Sequence, residues 1–251
     1  MKLMLWIALI IPVLGYANLP SSHTSLLKYV QEAPDQGDTA TCLYMASTGA
    51  IELLLNKHYN ITYPKRGDIH DISEIYTINQ RARSSGTWHQ VAIPRFNQGW
   101  AIHSNDLVFQ AWNDDGSVNR SVWSRPSNWS QLPKMSIKEK FTSKKLFVRG
   151  KNRYSQYVIQ KGDIEKIKQT LVDTDSPVLI NYNHNRWWHA VLIVGYDDNA
   201  KGDCLHTPAT ECSGMGAFWV RDSLGKETHL RDYDWFRVNG NAAFSVTILE
   251  E

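Results

Sequence analysis

Residues 35–57 read DQGDTATCLYMASTGAIELLLNK. A short polar loop hands one cysteine, Cys42, to the start of a segment in which Ala46, Gly49, Ala50, Leu53 and Leu54 recur at helical spacing. Few polar residues occupy the other faces, so the spacing predicts a buried central helix over residues 42–57, with Thr41 as its N-cap and Cys42 in its first turn. The positive end of a helix dipole favours a thiolate over a thiol, and the thiolate is the nucleophile. A nucleophilic cysteine needs a base from elsewhere in the chain and a third group that holds the base in the right tautomer.

The sequence offers one candidate for each role. His189 opens the run HAVLIVGYD beside Trp188, and Asp222 ends the run AFWVRDS. As neighbouring strands, these runs would present imidazole and carboxylate at one edge. Gln36, six residues before Cys42, carries a side-chain amide that could join the Cys42 backbone N–H in an oxyanion hole. Each residue alone has a plainer reading: a cysteine packed in a core, a histidine packed against tryptophan, Asp-Ser-Leu-Gly as a turn. Their order along the chain is the rarer coincidence.

The chain of 251 residues, 42% hydrophobic and 21% charged, suits one globular domain of two lobes. A net charge of +2 is too small and too evenly spread to make nucleic acid the main partner. Between residues 134 and 153 the basic side chains Lys134, Lys138, Lys140, Lys144, Lys145, Arg149, Lys151 and Arg153 face a single acid, Glu139, and this run is read as a solvated face. Lys2 followed by LMLWIALIIPVLGYA, with Gly15 and Ala17 spaced like a cleavage site, makes residues 1–17 a signal peptide and residues 18–251 the mature domain, secreted or periplasmic, with no stable membrane insertion after cleavage.

An oxidising compartment pairs Cys204 with Cys212 in DCLHTPATEC and leaves Cys42 unpaired. A metal reading of Cys204, His206 and Cys212 lacks a fourth ligand, and DDNAKGD departs from a calcium loop at Lys201 and Pro208. No metal and no cofactor are expected. Asn60, Asn119 and Asn128 begin N-glycosylation sequons.

Further helices are expected in DISEIYTINQRAR and WHQVAIPRFNQ, separated by a Ser84-Ser85-Gly86 turn, and in DIEKIKQTLVDT after Gly162. Residues 100–135 read as long surface loops. SPVLINYN, HAVLIVGYD, GAFWVRDS and AAFSVTILE read as strands, with Asn239-Gly240 as a turn. Helices first and strands later predict an α+β fold with a mainly helical N-terminal lobe, an antiparallel β-sheet C-terminal lobe and a cleft between them.

DQGDTATCLYMASTGAIE resembles the glutamine-glycine loop and nucleophile helix of the papain-family cysteine peptidases, with Gln36, Gly37 and Cys42 at matching positions. DISEIYTIN is similar to the family's Leu-Ser-Glu segment, WHAVLIVGYD to its His-Ala-Val strand, and VRDSLG sits where the family has Asn-Ser-Trp-Gly. The resemblance covers nearly all of the mature chain. It implies that His189 is the general base, Asp222 the orienting group, and Gly86 a substrate-binding glycine of the cleft. It also implies a protein or peptide substrate and a proteinaceous inhibitor as a candidate partner.

The departures from the family pattern are specific. Thr39-Ala40-Thr41-Cys42-Leu43 lacks the family's preceding cysteine, its glycine and its following tryptophan; Asp222 replaces asparagine and Leu224 the tryptophan over the histidine contact. An aspartate beside His189 should favour the imidazolium and strengthen the Cys-His ion pair. Residues 181–188 are shortened and residues 198–216 are inserted, both bordering the leaving-group side of the cleft, and no stretch is left for an inhibitory propeptide. Peptide-bond hydrolysis is the expected activity. An amidase, deamidase or transamidase using the same residues, and a catalytically silent binding protein on the same scaffold, are the alternatives.

Overall fold

A seven-stranded antiparallel sheet organises the second half of the chain in the computed structural model, which describes residues 19–79, 93, 96–149, 159–184, 187–204, 212, 214–224 and 228–249. The signal-like segment 1–17, most of the second expected helix, the Ser84-Ser85-Gly86 turn and with it Gly86 lie outside the described residues. The strands are β1 (Ser22–His23), β4 (Phe141–Val148), β5 (Val178–His184), β6 (Trp187–Asp197), β7 (Ala217–Arg221), β8 (His229–Asp232) and β9 (Gly240–Ile248). Their order is β4-β9-β5-β6-β7-β8, with β1 paired to the end of β6. A small ribbon, β2 (Trp100–Ala101) with β3 (Met135–Ser136), stands apart.

β5 and β6 are buried without alternation: Val178, Leu179 and Ile180 on one, Ala190 to Val194 on the other. Such runs belong to strands covered on both faces. Two helices pack on them, α1 (Cys42–His58) and α3 (Lys161–Thr174). α1 is buried almost all round, as its near-continuous apolar sequence requires. It joins the sheet core on one side; on the other, its Tyr44 and Met45 meet Ile75 and Ile78 of α2 (Glu74–Asn79) and Phe109, Ala111 and Val122 of the loops. The two lobes thus share one helix, and that helix begins with Cys42.

The structure corrects several expectations. Thr41 stands at the N-cap of α1 but its hydroxyl caps nothing; it is bonded to Thr39 Oγ1 at 2.8 Å. Asn239-Gly240 is no hairpin turn: Asn239 ends a helix, α4 (Tyr233–Asn239), and Gly240 starts β9. Asp232 starts that helix, its Oδ1 accepting from Asp234 N at 2.7 Å and Trp235 N at 3.3 Å. Within the basic run, read as a solvated face, residues 141–148 form the edge strand β4, not expected from the sequence, and its Lys144 and Lys145 are exposed beside a bulge. Loops do dominate residues 100–135, yet Phe109, Ala111 and Val122 build the second core cluster.

Candidate active site

Cys42 is the first residue of α1, half-buried and unpaired with any other cysteine. The loop before it is shaped by its own polar groups. Gly37 N donates to Asp35 Oδ1 at 2.8 Å, Thr39 Oγ1 to Gln36 O at 2.7 Å, and Trp123 Nε1 to Thr39 O at 3.0 Å. With its own proton committed to Gln36, Thr39 can only accept from Thr41. The cap hydroxyl is thereby spent on fixing the loop and bonds no amide of α1; Tyr44 N and Met45 N donate instead to the Thr41 carbonyl, at 2.9 and 3.1 Å.

Two backbone positions in this loop need the left-handed region. Gly37 has φ +48°, and a Cβ there would lie 2.7 Å from Trp112 Cε2. Ala40 has φ +58°. A left-handed alanine costs about 1–2 kcal/mol, so the chain keeps the loop's path without the glycine at this position.

The opposite wall comes from β6 and the end of β7. His189 pairs across the sheet with Tyr182, whose ring meets the imidazole edge-on at 5.3 Å. Its Nε2 lies 2.7 Å from Asp222 Oδ1, with both side chains buried. That contact leaves Nδ1 for Cys42, which is near enough to the imidazole to raise its affinity for a proton. Burial alone would lower the affinity of His189 for its proton; the Asp222 hydrogen bond, the nearness of Cys42 and the charges of both partners reverse this and raise it to about 9. Burial likewise works against ionised Asp222, but the His189 hydrogen bond and charge, with more distant help from His229 and Arg231, hold its carboxyl below the usual carboxylate range.

Gln36 is clamped to the residue after Asp222. Its backbone N donates to Ser223 O at 2.8 Å, and Ser223 Oγ donates to its side-chain Oε1 at 2.6 Å. With Oε1 occupied, Nε2 is the donor end that remains. Leu224 is 48% and Trp188 56% exposed, whereas His189 and Asp222 are both buried.

Sequence reasoning names Cys42, His189, Asp222 and Gln36; it missed Ser223, read as turn chemistry, and Arg221. The Arg221 guanidinium is buried between the walls, donating to Gln31 O at 2.6 Å, Met45 O at 3.1 Å and Glu52 Oε2 at 3.2 Å. Glu52 also accepts from Ile72 N at 2.9 Å. Burial pushes the Glu52 carboxyl up to about 8 against the pull of Arg221, with Glu74 and Asp71 adding to the rise and Arg66 opposing it. The only hint in sequence was a Glu in an otherwise apolar helix.

Cys204 and Cys212 form the disulfide, their Cα atoms 6.5 Å apart, within the insertion after β6. Asp232 lies near both sulfurs, but bonded sulfurs are poor ligands and the trio makes no metal centre. The other acidic cluster, Glu52, Asp71 and Glu74, is engaged by Arg66 and Arg221. A cavity of about 1020 Å³ opens at the far end of α1, among Lys57, His58, Lys138 and Thr247, and contains none of the candidate site residues. Among the described residues, no helix is long and apolar enough to cross a membrane.

No family profile matches this sequence, and no curated protein does. Solved structures do resemble it in shape. The clostridial cysteine protease Cwp84 after propeptide cleavage matches with TM-score 0.55 at 16% identity over 92% of this chain and 59% of its own. The cysteine protease and lectin-like domains of Cwp84, a surface layer associated protein of Clostridium difficile, match with TM-score 0.58 at 16% identity over 93% of this chain and 53% of theirs. This chain therefore spans little more than half of those two. A Carica candamarcensis cysteine protease in complex with E-64 matches with TM-score 0.57 at 15% identity over 93% of this chain and 100% of its own. At such identities the likeness speaks for the path of the chain alone, and that path is the two-lobed papain-like fold of cysteine proteases.

Proposed function

We propose that the protein is an extracytoplasmic thiol hydrolase that cleaves peptide bonds with Cys42, His189, Asp222 and Gln36. The observation that carries the reading is the buried Asp222–His189 contact, its imidazole raised in proton affinity by a cysteine at the first position of a helix. An imidazole that keeps its proton to about pH 9 stands charged beside Cys42 at neutral pH, which is the protonation state that thiol chemistry needs. The Cys42 sulfur attacks the substrate carbonyl carbon. The oxyanion so formed accepts from the Cys42 backbone N–H, an amide without an intrahelical partner, and from Gln36 Nε2. His189 gives its proton to the leaving amine as the C–N bond breaks, and then takes one from the water that releases the acyl group. Asp222 keeps the ring's tautomer and orientation through both steps.

Gly86 is proposed to border the substrate, and the signal-like residues 1–17 support an extracytoplasmic site of action. The neighbouring plant protease was solved with the inhibitor E-64, which makes that compound a first probe here. The decisive test uses purified residues 18–251, reduced, beside Cys42→Ala. Each is incubated with a diverse peptide mixture and read by mass spectrometry for new termini and for one-dalton deamidation. Cuts that need Cys42 support the reading; deamidation without cuts makes the enzyme an amidase, and identical traces from the two proteins make the scaffold a binding module.

A further inference from the structure

Arg221 touches three segments that must meet for the proposed site to exist. It directly precedes Asp222 in the chain. Its Nε donates to Gln31 O at 2.6 Å and its Nη2 reaches Glu32 O at 3.4 Å, on the strap that leads to Gln36. Its Nη1 donates to Met45 O at 3.1 Å, one turn into the helix that Cys42 begins, and its Nη2 lies 3.2 Å from Glu52 Oε2, two turns further on. All of this happens out of water: Arg221 is 4% exposed and Glu52 fully buried.

The guanidinium has a seat in α1. A Cβ on Gly49 would stand 2.1 Å from Arg221 Nη1 and 2.5 Å from Cζ. Gly49 has ordinary helical backbone, so a glycine in the interior of a buried helix is explained here by space and not by dihedral angle. The planar fork explains arginine: an ammonium is one point with three donors and cannot span a strap carbonyl, a helix carbonyl and a carboxylate on different sides.

We propose that Arg221 is a positioning residue, seated in the notch at Gly49, that sets the spacing of Cys42, Gln36 and Asp222. The inference rests on the proposed thiol hydrolase activity. It assigns Arg221 no contact with substrate; misplacement of reacting groups by a fraction of an ångström is how it would act, and such errors cost about 10- to 100-fold in rate.

The test compares the wild type, R221K, G49A and the double variant, each first shown to be folded by its thermal transition. kcat and KM are read on a cleaved peptide, and the rate of Cys42 alkylation is read from pH 5 to 10. R221K and G49A should each lower kcat about 10-fold or more with KM within about twofold. Both should also move the alkaline limb of the alkylation profile downward, as the Asp222–His189 contact loosens. The double variant should be no worse than the poorer single one, because the added methyl no longer meets a guanidinium. Losses that multiply, or a lowered thermal transition with kcat and profile unchanged, would overturn the proposal. If the wild type has no Cys42-dependent turnover, the activity reading fails separately; a shared shift of the alkylation profile in both singles then still supports the positioning role, and four superimposable profiles refute it.

Discussion

The two walls of the candidate site are held by different forces. The nucleophile wall, residues 35–42, is a loop fixed mainly by hydrogen bonds between neutral groups, with one to the Asp35 carboxylate, by two left-handed residues and by Trp112 and Trp123. The base wall, His189 with Asp222, is held by a buried ion pair on a rigid sheet. Neutral geometry tolerates pH and is broken by sterics; a buried ion pair depends on close geometry too, and is broken in addition by titration or by loss of one partner. The difference predicts which perturbation each wall will feel.

The largest effect should come from the base wall. His189→Ala should lower kcat/KM by about 10²- to 10⁴-fold, measured on the same peptide that Cys42→Ala fails to cut. Asp222→Asn keeps the shape but removes the charge. Since that charge helps raise His189 to about 9, the alkaline limb of the rate profile should fall to lower pH in Asp222→Asn. A limb that stays in place would mean that the ion pair does not set it. Ser223→Ala, on the seam between walls, frees the Gln36 amide to rotate; kcat should drop by about 10-fold, less than the 10²- to 10³-fold typical of deleting an oxyanion donor outright, because the donor survives.

Stability should also carry the signature of the buried charges. Glu52 is raised from 4.5 to about 8, so between those values the folded chain keeps a proton that the unfolded chain has released. Its contribution is complete below pH 4.5 and is lost as pH rises through 8. His189 acts in the same sense, its contribution complete below its unfolded value of about 6.5 and lost through about 9. The thermal transition should therefore fall from pH 6 to pH 9, and Glu52→Gln should flatten the lower half of that decline. The smallest effect belongs to the nucleophile wall: Ala40→Gly should raise stability by about 1 kcal/mol, equally at pH 6 and pH 8, as denaturant melts at both values would show.

How much of this can be read from sequence follows the same division. α1 and the four late strands are long apolar runs, and such runs announce themselves. β4 did not, because two adjacent lysines at a bulge interrupt its alternation. α4 did not, because seven residues are two turns, too few for a period, and its Asp232 cap was passed over in favour of Asn239-Gly240. Thr41 reads as a cap because threonine is a common N-cap; the competing hydroxyl of Thr39 is invisible in one dimension. Cys42, His189, Asp222 and Gln36 stand out by residue type and order. Arg221, Gly49 and Ser223 do not, since their meaning lies in pairings across more than 170 residues.

Those pairings have a kinetic consequence. Gln36 reaches Ser223 across 187 positions and Arg221 reaches Gln31 across 190. Loops of that length close slowly, and their entropy must be surrendered before any of these contacts returns energy. Helix α1, by contrast, can form from its own residues. On refolding, helical signal should therefore return well before hydrolysis does, and recovered activity would time the meeting of the two ends of the chain.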